Sequence, residues 1–318
     1  MSSPRAPSRI VAIVGPTASG KSDLAIHAAR RFGGEVVSCD SVQVYRGLDI
    51  GSGKPSVEDR REIPHHLIDI LDLEEEMNAG VFASQAAAAI EDITGRGLLP
   101  IVTGGTGLYL TALLKGLFDH GGADPEVRGR LEALAERHGP ARLHRLLTAL
   151  DPVYAAKTQP SDQVRVVRAL EVRFTLGRPF SDAQQERKPA FNGDALVIGL
   201  DPGREELRKR VAARVAGMFE AGLVEETRRA AARAAAGGFK PRALGAIGYR
   251  EVAAWLAGEG LEAHEEGEVL RDIVISTMQY AKRQMTYFRR QFAVEWFASD
   301  REALERIAVW IGHPGASN

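Results

Sequence analysis

The chain has 318 residues, 44% of them hydrophobic and 26% charged, with a formal net charge of −1. That is an ordinary globular composition, long enough for one large domain or two small ones. It excludes a globally basic nucleic-acid binder, so any such binding must come from a local patch. The single cysteine, Cys39, excludes an internal disulfide framework, and no apolar run approaches the ~20 residues of a membrane span. The opening MSSPRAPSR lacks an apolar signal region, so a cytoplasmic protein is expected.

RIVAIVG is a short apolar run ending in glycine and predicts a buried strand. It feeds GPTASGKS, residues 15–22, which fits the phosphate-binding pattern G-x-x-x-x-G-K-[ST]. SDLAIHAARRF follows with helical spacing (Leu24, Ala28 and Arg31 on one side) and stops at Gly33 and Gly34. EVVSCD predicts a second strand ending at Asp40, and HHLIDIL a third. VFASQAAAAIEDITGRG reads as a helix, and LLPIVTGG as a strand running into the turn GGTGLY. This alternation predicts an α/β fold, a P-loop core with a parallel sheet flanked by helices. From Asp124 to about Arg178 only helical stretches appear, which predicts a mainly helical insertion. ALVIGLD returns to the sheet, and the remainder reads as mostly helical, with Met218, Phe219 and Leu223 as an apolar face in the Arg- and Ala-rich segment from Glu205 to Arg233. The expected division is 8–117 with 192–318 for the core and 118–191 for the insertion.

The chemistry starts at the loop formed by Gly15, Pro16, Thr17, Ala18, Ser19, Gly20, Lys21 and Ser22. Backbone N–H groups in such a loop hold phosphate oxygens, aided by the following helix N-terminus. Lys21 would neutralise phosphate charge and Ser22 would ligate Mg²⁺. The plainer alternative is a glycine-rich turn with an incidental lysine. The loop specifies a polyphosphate and not which one. A P-loop NTPase normally ends a further strand on an acid that holds the metal. IVTGG has none; the acid stands instead at Asp40, as a metal ligand, a general base or a turn aspartate. In GGTGLY the paired glycines admit a close ligand, with Thr106 presenting a hydroxyl or capping the next helix. Adjacent His65 and His66 are expected to be structural rather than metal ligands. KRQMTYFRR interleaves basic and aromatic residues, as an RNA surface or as one face of an amphipathic helix.

GPTASGKS, DSVQVYRGLDIGSGKP, PHHLID and VTGGTGLY, in this order and spacing, resemble the tRNA dimethylallyltransferases. DPEVRGRLE, SDQVRVVRALEV, LGAIGYRE and QYAKRQMTYFRRQ extend the resemblance from about Ile10 to about Trp296. It implies transfer of a dimethylallyl group from dimethylallyl diphosphate to N6 of the adenosine beside the tRNA anticodon, with Mg²⁺ as cofactor. Asp40 is then the base, Thr106 bonds the departing oxygen, and the P-loop and Arg214 hold the diphosphate. Arg214 read alone is one solvated helix charge among many. The resemblance assigns tRNA contact to Asp40, Ser41, Val42, Gln43, Thr106 and Arg128, and to Val164, Arg165, Val166, Val167 and Arg168. It adds Gly245, Ala246, Ile247, Gly248, Tyr249 and Arg250, then Lys282, Arg283, Gln284, Met285, Thr286, Tyr287, Phe288 and Arg289. It also implies that the anticodon stem-loop lies between core and insertion, and a monomer is expected. Three positions depart from the commoner pattern: Ser22 for threonine, Gly53 in SGKP where TAKP is usual, and Tyr287 for tryptophan. The absence of a C-x₂-C…H-x₃₋₅-H tail resembles the bacterial type. The rival readings are an adenylate isopentenyltransferase acting on a free nucleotide, a P-loop small-molecule kinase and a non-catalytic RNA module.

Overall fold

The structure, a computed structural model, describes residues 8–118, 124–258 and 265–312. Residues 1–7 of the opening segment, 119–123 at the start of the expected insertion, 259–264 and the terminal 313–318 lie outside the described residues. In chain order the first elements are β1 (Arg9–Val14), α1 (Lys21–Phe32), β2 (Gly34–Ser38), α2 (Val57–Glu62), β3 (His65–His66), α3 (Ala79–Gly95), β4 (Leu99–Gly104) and α4 (Gly107–Lys115). A helical stretch follows: α5 (Pro125–His138), α6 (Pro140–Leu150), α7 (Pro152–Ala155), α8 (Gln163–Leu176) and α9 (Phe180–Ala183). The chain then forms β5 (Asp194–Leu200), α10 (Arg204–Glu220), α11 (Leu223–Gly237), α12 (Tyr249–Leu256), α13 (Glu266–Gln291), β6 (Glu295–Phe297) and α14 (Asp300–Ile311). The contacts divide it into two units, one of Met1–Leu114 with Ala190–Asn318 and one of Lys115–Pro189.

The first unit is built on a six-stranded parallel sheet in the order β3-β2-β4-β1-β5-β6. Its central strands are buried on both faces, which is why RIVAIV and ALVIGL read as unbroken apolar runs rather than alternating ones. On one face Val11, Ile13, Val36, Ile101 and Ile198 pack against Leu24, Ala25 and Ala28 of α1 and Ala303 and Ile307 of α14. Arg31, expected on the same side of α1 as Leu24 and Ala28, is exposed, leaving its charge in water. The registers Ile13↔Thr103 and Ser38↔Thr103 bring the carboxyl ends of β1, β4 and β2 side by side. Gly104 permits this: a Cβ there would stand 2.0 Å from the Cys39 carbonyl oxygen, which is backbone that cannot give way.

Several expectations are corrected. HHLIDIL is strand only at His65 and His66, because Leu67 and Asp69 take left-handed φ of 62° and 56° and turn the chain away. The segment from Glu205 to Arg233 is two helices, broken at Gly222 with φ 100°. The buried face of α10 is Leu207, Val211 and Val215; Met218 and Phe219 are only partly buried. The mostly helical tail also contains a three-residue strand, β6.

The second unit has its own core of Leu131, Leu143, Leu147, Val166, Leu170 and Phe180. Aspartates start its helices: Asp124 accepts from the N–H groups of Glu126 and Val127, and Asp162 from that of Arg165.

Candidate active site

A cavity of about 280 Å³ opens at the carboxyl edge of the sheet in the first unit. Thr17 reaches it from the loop after β1, Lys21 and Ser22 from the first turn of α1, Asp40 to Gln43 from the loop after β2, and Gly104 and Thr106 from the end of β4. Arg214 and Met218 of α10, Ala246 to Gly248, and Tyr280 and Arg283 of α13 complete its wall. The strand order places these loops together, as expected at the carboxyl edge of a parallel sheet.

The phosphate-binding loop is closed by a turn from Ser19 N–H to the Pro16 carbonyl at 3.1 Å, with Ala18 and Gly20 at left-handed φ of 66° and 97°. Gly20 thus ends the loop and starts α1. Gln284 braces the loop from α13: its Oε1 accepts from Thr17 N–H at 2.9 Å and its Nε2 donates to the Gly105 carbonyl at 3.0 Å. Lys21 donates to the Pro16 carbonyl at 3.3 Å. Its pKa is lowered to about 8, first by burial and then by Arg214, with Asp40 opposing. Burial also lowers Arg214, against the pull of Asp40 and Asp23. Lys21 and Arg214 thus share one partly dehydrated cavity with the Asp40 carboxylate.

Asp40 Oδ1 accepts from the N–H groups of Val42 at 2.8 Å and Gln43 at 3.3 Å. The carboxylate therefore closes a turn and also faces the cavity. Thr106 precedes α4, but its hydroxyl does not cap that helix. It accepts from Ser41 N–H at 3.1 Å and donates to Ser41 Oγ at 3.4 Å. Of the paired glycines, Gly104 lies on the cavity wall with Cys39 packed against it, and Gly105 lies against Gln284. His65 Nδ1 meets the Ile63 carbonyl at 2.7 Å and His66 Nε2 meets Glu35 at 2.7 Å, so each imidazole is bound structurally. Among the described residues no group of three or more His, Cys, Asp or Glu could hold a metal by itself. Ser22 and Asp40 in the cavity are a hydroxyl and a carboxylate, which suits Mg²⁺ bound mainly by phosphate oxygens and water.

The residues expected at tRNA separate by exposure. Val164 (81% exposed), Arg165, Gly245, Arg250, Lys282, Arg283, Thr286 and Arg289 are at the surface. Ser41, Val42, Gln43, Arg128, Arg168, Ala246, Ile247, Met285 and Tyr287 are partly buried. Val166, Val167, Tyr249, Gln284 and Phe288 have buried side chains, and Gly248 is buried at the cavity wall. On α13 this gives an amphipathic helix with a basic outer face: Gln284 and Phe288 point inward, and Arg289 bonds Asp201 at 3.0 Å. In the second unit Arg128 and Arg168 both bond the fully buried Glu171, at 2.8 and 3.0 Å. Burial pushes Glu171 up, but the bonds from the two arginines outweigh it and hold it below the usual carboxylate range.

Sequence reasoning missed Glu226. Its buried carboxylate accepts from the N–H groups of Asp49, Ile50 and Gly51 and from the Tyr249 hydroxyl, fixing the loop that carries Ser52 and Gly53. The two partners are 177 residues apart at Asp49, so no local pattern marks them. Lys54 was also missed; its ammonium bonds Asp49, Asp69 and the Tyr45 carbonyl.

A family model described as IPP transferase matches residues 43–291. The chain is 49% identical to a tRNA dimethylallyltransferase of Anaeromyxobacter dehalogenans, over 94% of this chain and 98% of that protein. It is 48% identical to one from Geobacter metallireducens, over 91% and 92%. Among solved structures, the full-length tRNA isopentenylpyrophosphate transferase of Bacillus halodurans matches with TM-score 0.67 and 35% identity over 96% of each chain. A eukaryotic dimethylallyltransferase acting on tRNA matches with TM-score 0.75 and 28% identity, over 96% of this chain and 77% of that one.

Proposed function

The chain belongs to the IPP transferase family, and from that premise we propose that it is a tRNA dimethylallyltransferase. It transfers the dimethylallyl group of dimethylallyl diphosphate to N6 of the adenosine beside the anticodon, releasing pyrophosphate. The observation that carries this reading is the cavity itself. Two cations, Lys21 and Arg214, stand at a phosphate-binding loop opposite a carboxylate, with Val211, Val215 and Met218 giving an apolar wall for a prenyl chain.

The N6 lone pair forms the new C–N bond as the C–O bond to the diphosphate breaks. N6 must lose a proton in that step, and the Asp40 carboxylate, oriented through Oδ1, takes it. The bond pair of the broken C–O leaves on pyrophosphate, whose charge the loop N–H groups, Lys21 and Arg214 stabilise. Thr106 Oγ1 accepts from Ser41 N–H, and its proton, which rests on Ser41 Oγ at 3.4 Å, turns to the departing oxygen. Mg²⁺, held by Ser22 and the phosphate oxygens, would add charge neutralisation when bound. Arg128, Arg165 and Arg168 of the second unit, and Lys282 and Arg283 of the first, supply cations for the tRNA phosphates. No described helix is long and apolar enough to cross a membrane.

The test is incubation with labelled dimethylallyl diphosphate, Mg²⁺ and unmodified tRNA. Label transferred to tRNA and not to free AMP is expected. Label on AMP alone, or γ-phosphate transfer from ATP in its place, overturns the proposal.

A further inference from the structure

Gln284 of α13 is 4% exposed, and its side-chain amide meets one backbone donor and one backbone acceptor. Thr17 N–H needs an acceptor and the Gly105 carbonyl needs a donor; a primary amide offers one of each from neighbouring atoms. Both partners belong to peptide groups engaged at their other end as well. The Pro16 carbonyl shares a trans peptide plane with Thr17 N–H. It accepts from Ser19 N–H at 3.1 Å and from Lys21 Nζ at 3.3 Å. The Gly105 carbonyl shares its plane with Thr106 N–H, which donates to the Cys39 carbonyl at 3.2 Å, next to Asp40. Tyr280, one turn earlier on α13, also reaches the Gly105 carbonyl, at 3.5 Å. A tilt of the first plane moves the closure of the phosphate-binding loop and the Lys21 ammonium. A tilt of the second moves Thr106. The fit is close: a Cβ on Gly105 would stand 2.2 Å from Gln284 Nε2.

We infer that Gln284 is a positioning residue, setting the phosphate-binding loop and Lys21 against the turn that carries Thr106, and not a contact to tRNA. This rests on the reading of that loop as the diphosphate site. The side chain acts through the two peptide planes, and its buried amide keeps its geometry whether or not RNA lies on the outer face of α13.

Pyrophosphate and unmodified tRNA are titrated separately onto the full chain of wild type, Gln284→Met, Lys21→Ala and Val269→Ala, and melting temperatures are recorded. Gln284→Met keeps the volume and removes both hydrogen bonds. Gln284→Asn, one methylene too short to span the two partners, stands in should the methionine variant fail to fold. Val269→Ala controls for lost stability alone: Val269 is a buried residue of the same helix, about 22 Å along it from position 284. Gln284→Met is expected to weaken pyrophosphate about tenfold or more, with tRNA affinity kept within about threefold. The KM for dimethylallyl diphosphate should rise by the same factor while that for tRNA holds. Val269→Ala should melt lower and keep pyrophosphate affinity within about twofold. Wild-type pyrophosphate affinity in the position-284 variants beside a weakened Lys21→Ala overturns the inference alone. So does a tRNA loss as large as the pyrophosphate loss, or an equal pyrophosphate loss in Val269→Ala. An unchanged Lys21→Ala overturns the diphosphate reading of the loop, and the inference with it.

Discussion

Replacing Glu226 by glutamine tests how the cavity wall is held. The carboxylate is buried, 2% exposed, and both oxygens are used. Oε2 accepts from Asp49 N–H at 2.8 Å and Ile50 N–H at 2.9 Å; Oε1 accepts from Gly51 N–H at 3.0 Å and the Tyr249 hydroxyl at 2.6 Å. Glutamine keeps the shape but turns one oxygen into an NH₂, a donor facing donors. Where the NH₂ replaces Oε2 the Asp49 bond is lost, while Ile50 N–H keeps Oε1 at 3.1 Å; where it replaces Oε1 the Gly51 bond is lost, and the Tyr249 hydroxyl can turn to accept. At about 1.5–3 kcal/mol for a hydrogen bond to a charged group, the loss is about 1.5–3 kcal/mol before relaxation. With roughly 2–4 °C per kcal/mol in a domain of this size, the melting temperature should fall by about 3 °C or more. Urea unfolding followed by circular dichroism, with calorimetric melting, measures both. Glu225→Gln next to it, where the glutamate is exposed and paired with Arg228, should stay within about 0.5 kcal/mol. A Glu226→Gln loss below about 1 kcal/mol would refute the account of Glu226 as the anchor of residues 49–51.

Asp40→Asn should lower the single-turnover transfer rate by about 10²-fold or more, with pyrophosphate affinity kept within a few-fold; a near-normal rate removes Asp40 as the base. Lys21, at about 8, is charged below that pH and attracts diphosphate; above it the charge is lost in the free protein. Pyrophosphate affinity should therefore be flat below pH 8 and fall towards tenfold per pH unit above it, with proton uptake on binding seen in calorimetry across buffers. A flat profile to pH 9.5 contradicts this. Arg168→Ala should weaken tRNA binding and reduce the slope of log K against log salt by about 0.7–0.9; an unchanged slope takes Arg168 off the phosphates.

The parts legible in the sequence are those set by contiguous residues. GPTASGKS between an apolar run and a helical pattern determined the loop, because backbone donors and the helix start are local features. The strands RIVAIV, EVVS and LPIVTG were legible because burial on both faces leaves them continuously apolar. Asp40 and Thr106 were legible as strand-end groups. Only the tertiary structure decided that β2, β4 and β1 are neighbours, which is what gathers Asp40, Thr106 and Lys21 around one cavity. β3 and β6 carry two and three residues, too few for any periodicity, and exist because Val36 and Ile198 offer edges to pair with. The burial of Tyr249 and Phe288, the brace of Gln284 across 267 residues to Thr17, and the clamp of Glu226 are contacts between distant segments. Apart from Phe288, their residue types are polar or mixed and fit a surface as readily as a core. A hydrogen bond between remote chain segments leaves no spacing to read, so the chain determined the glycine-rich loop while the fold determined what surrounds it.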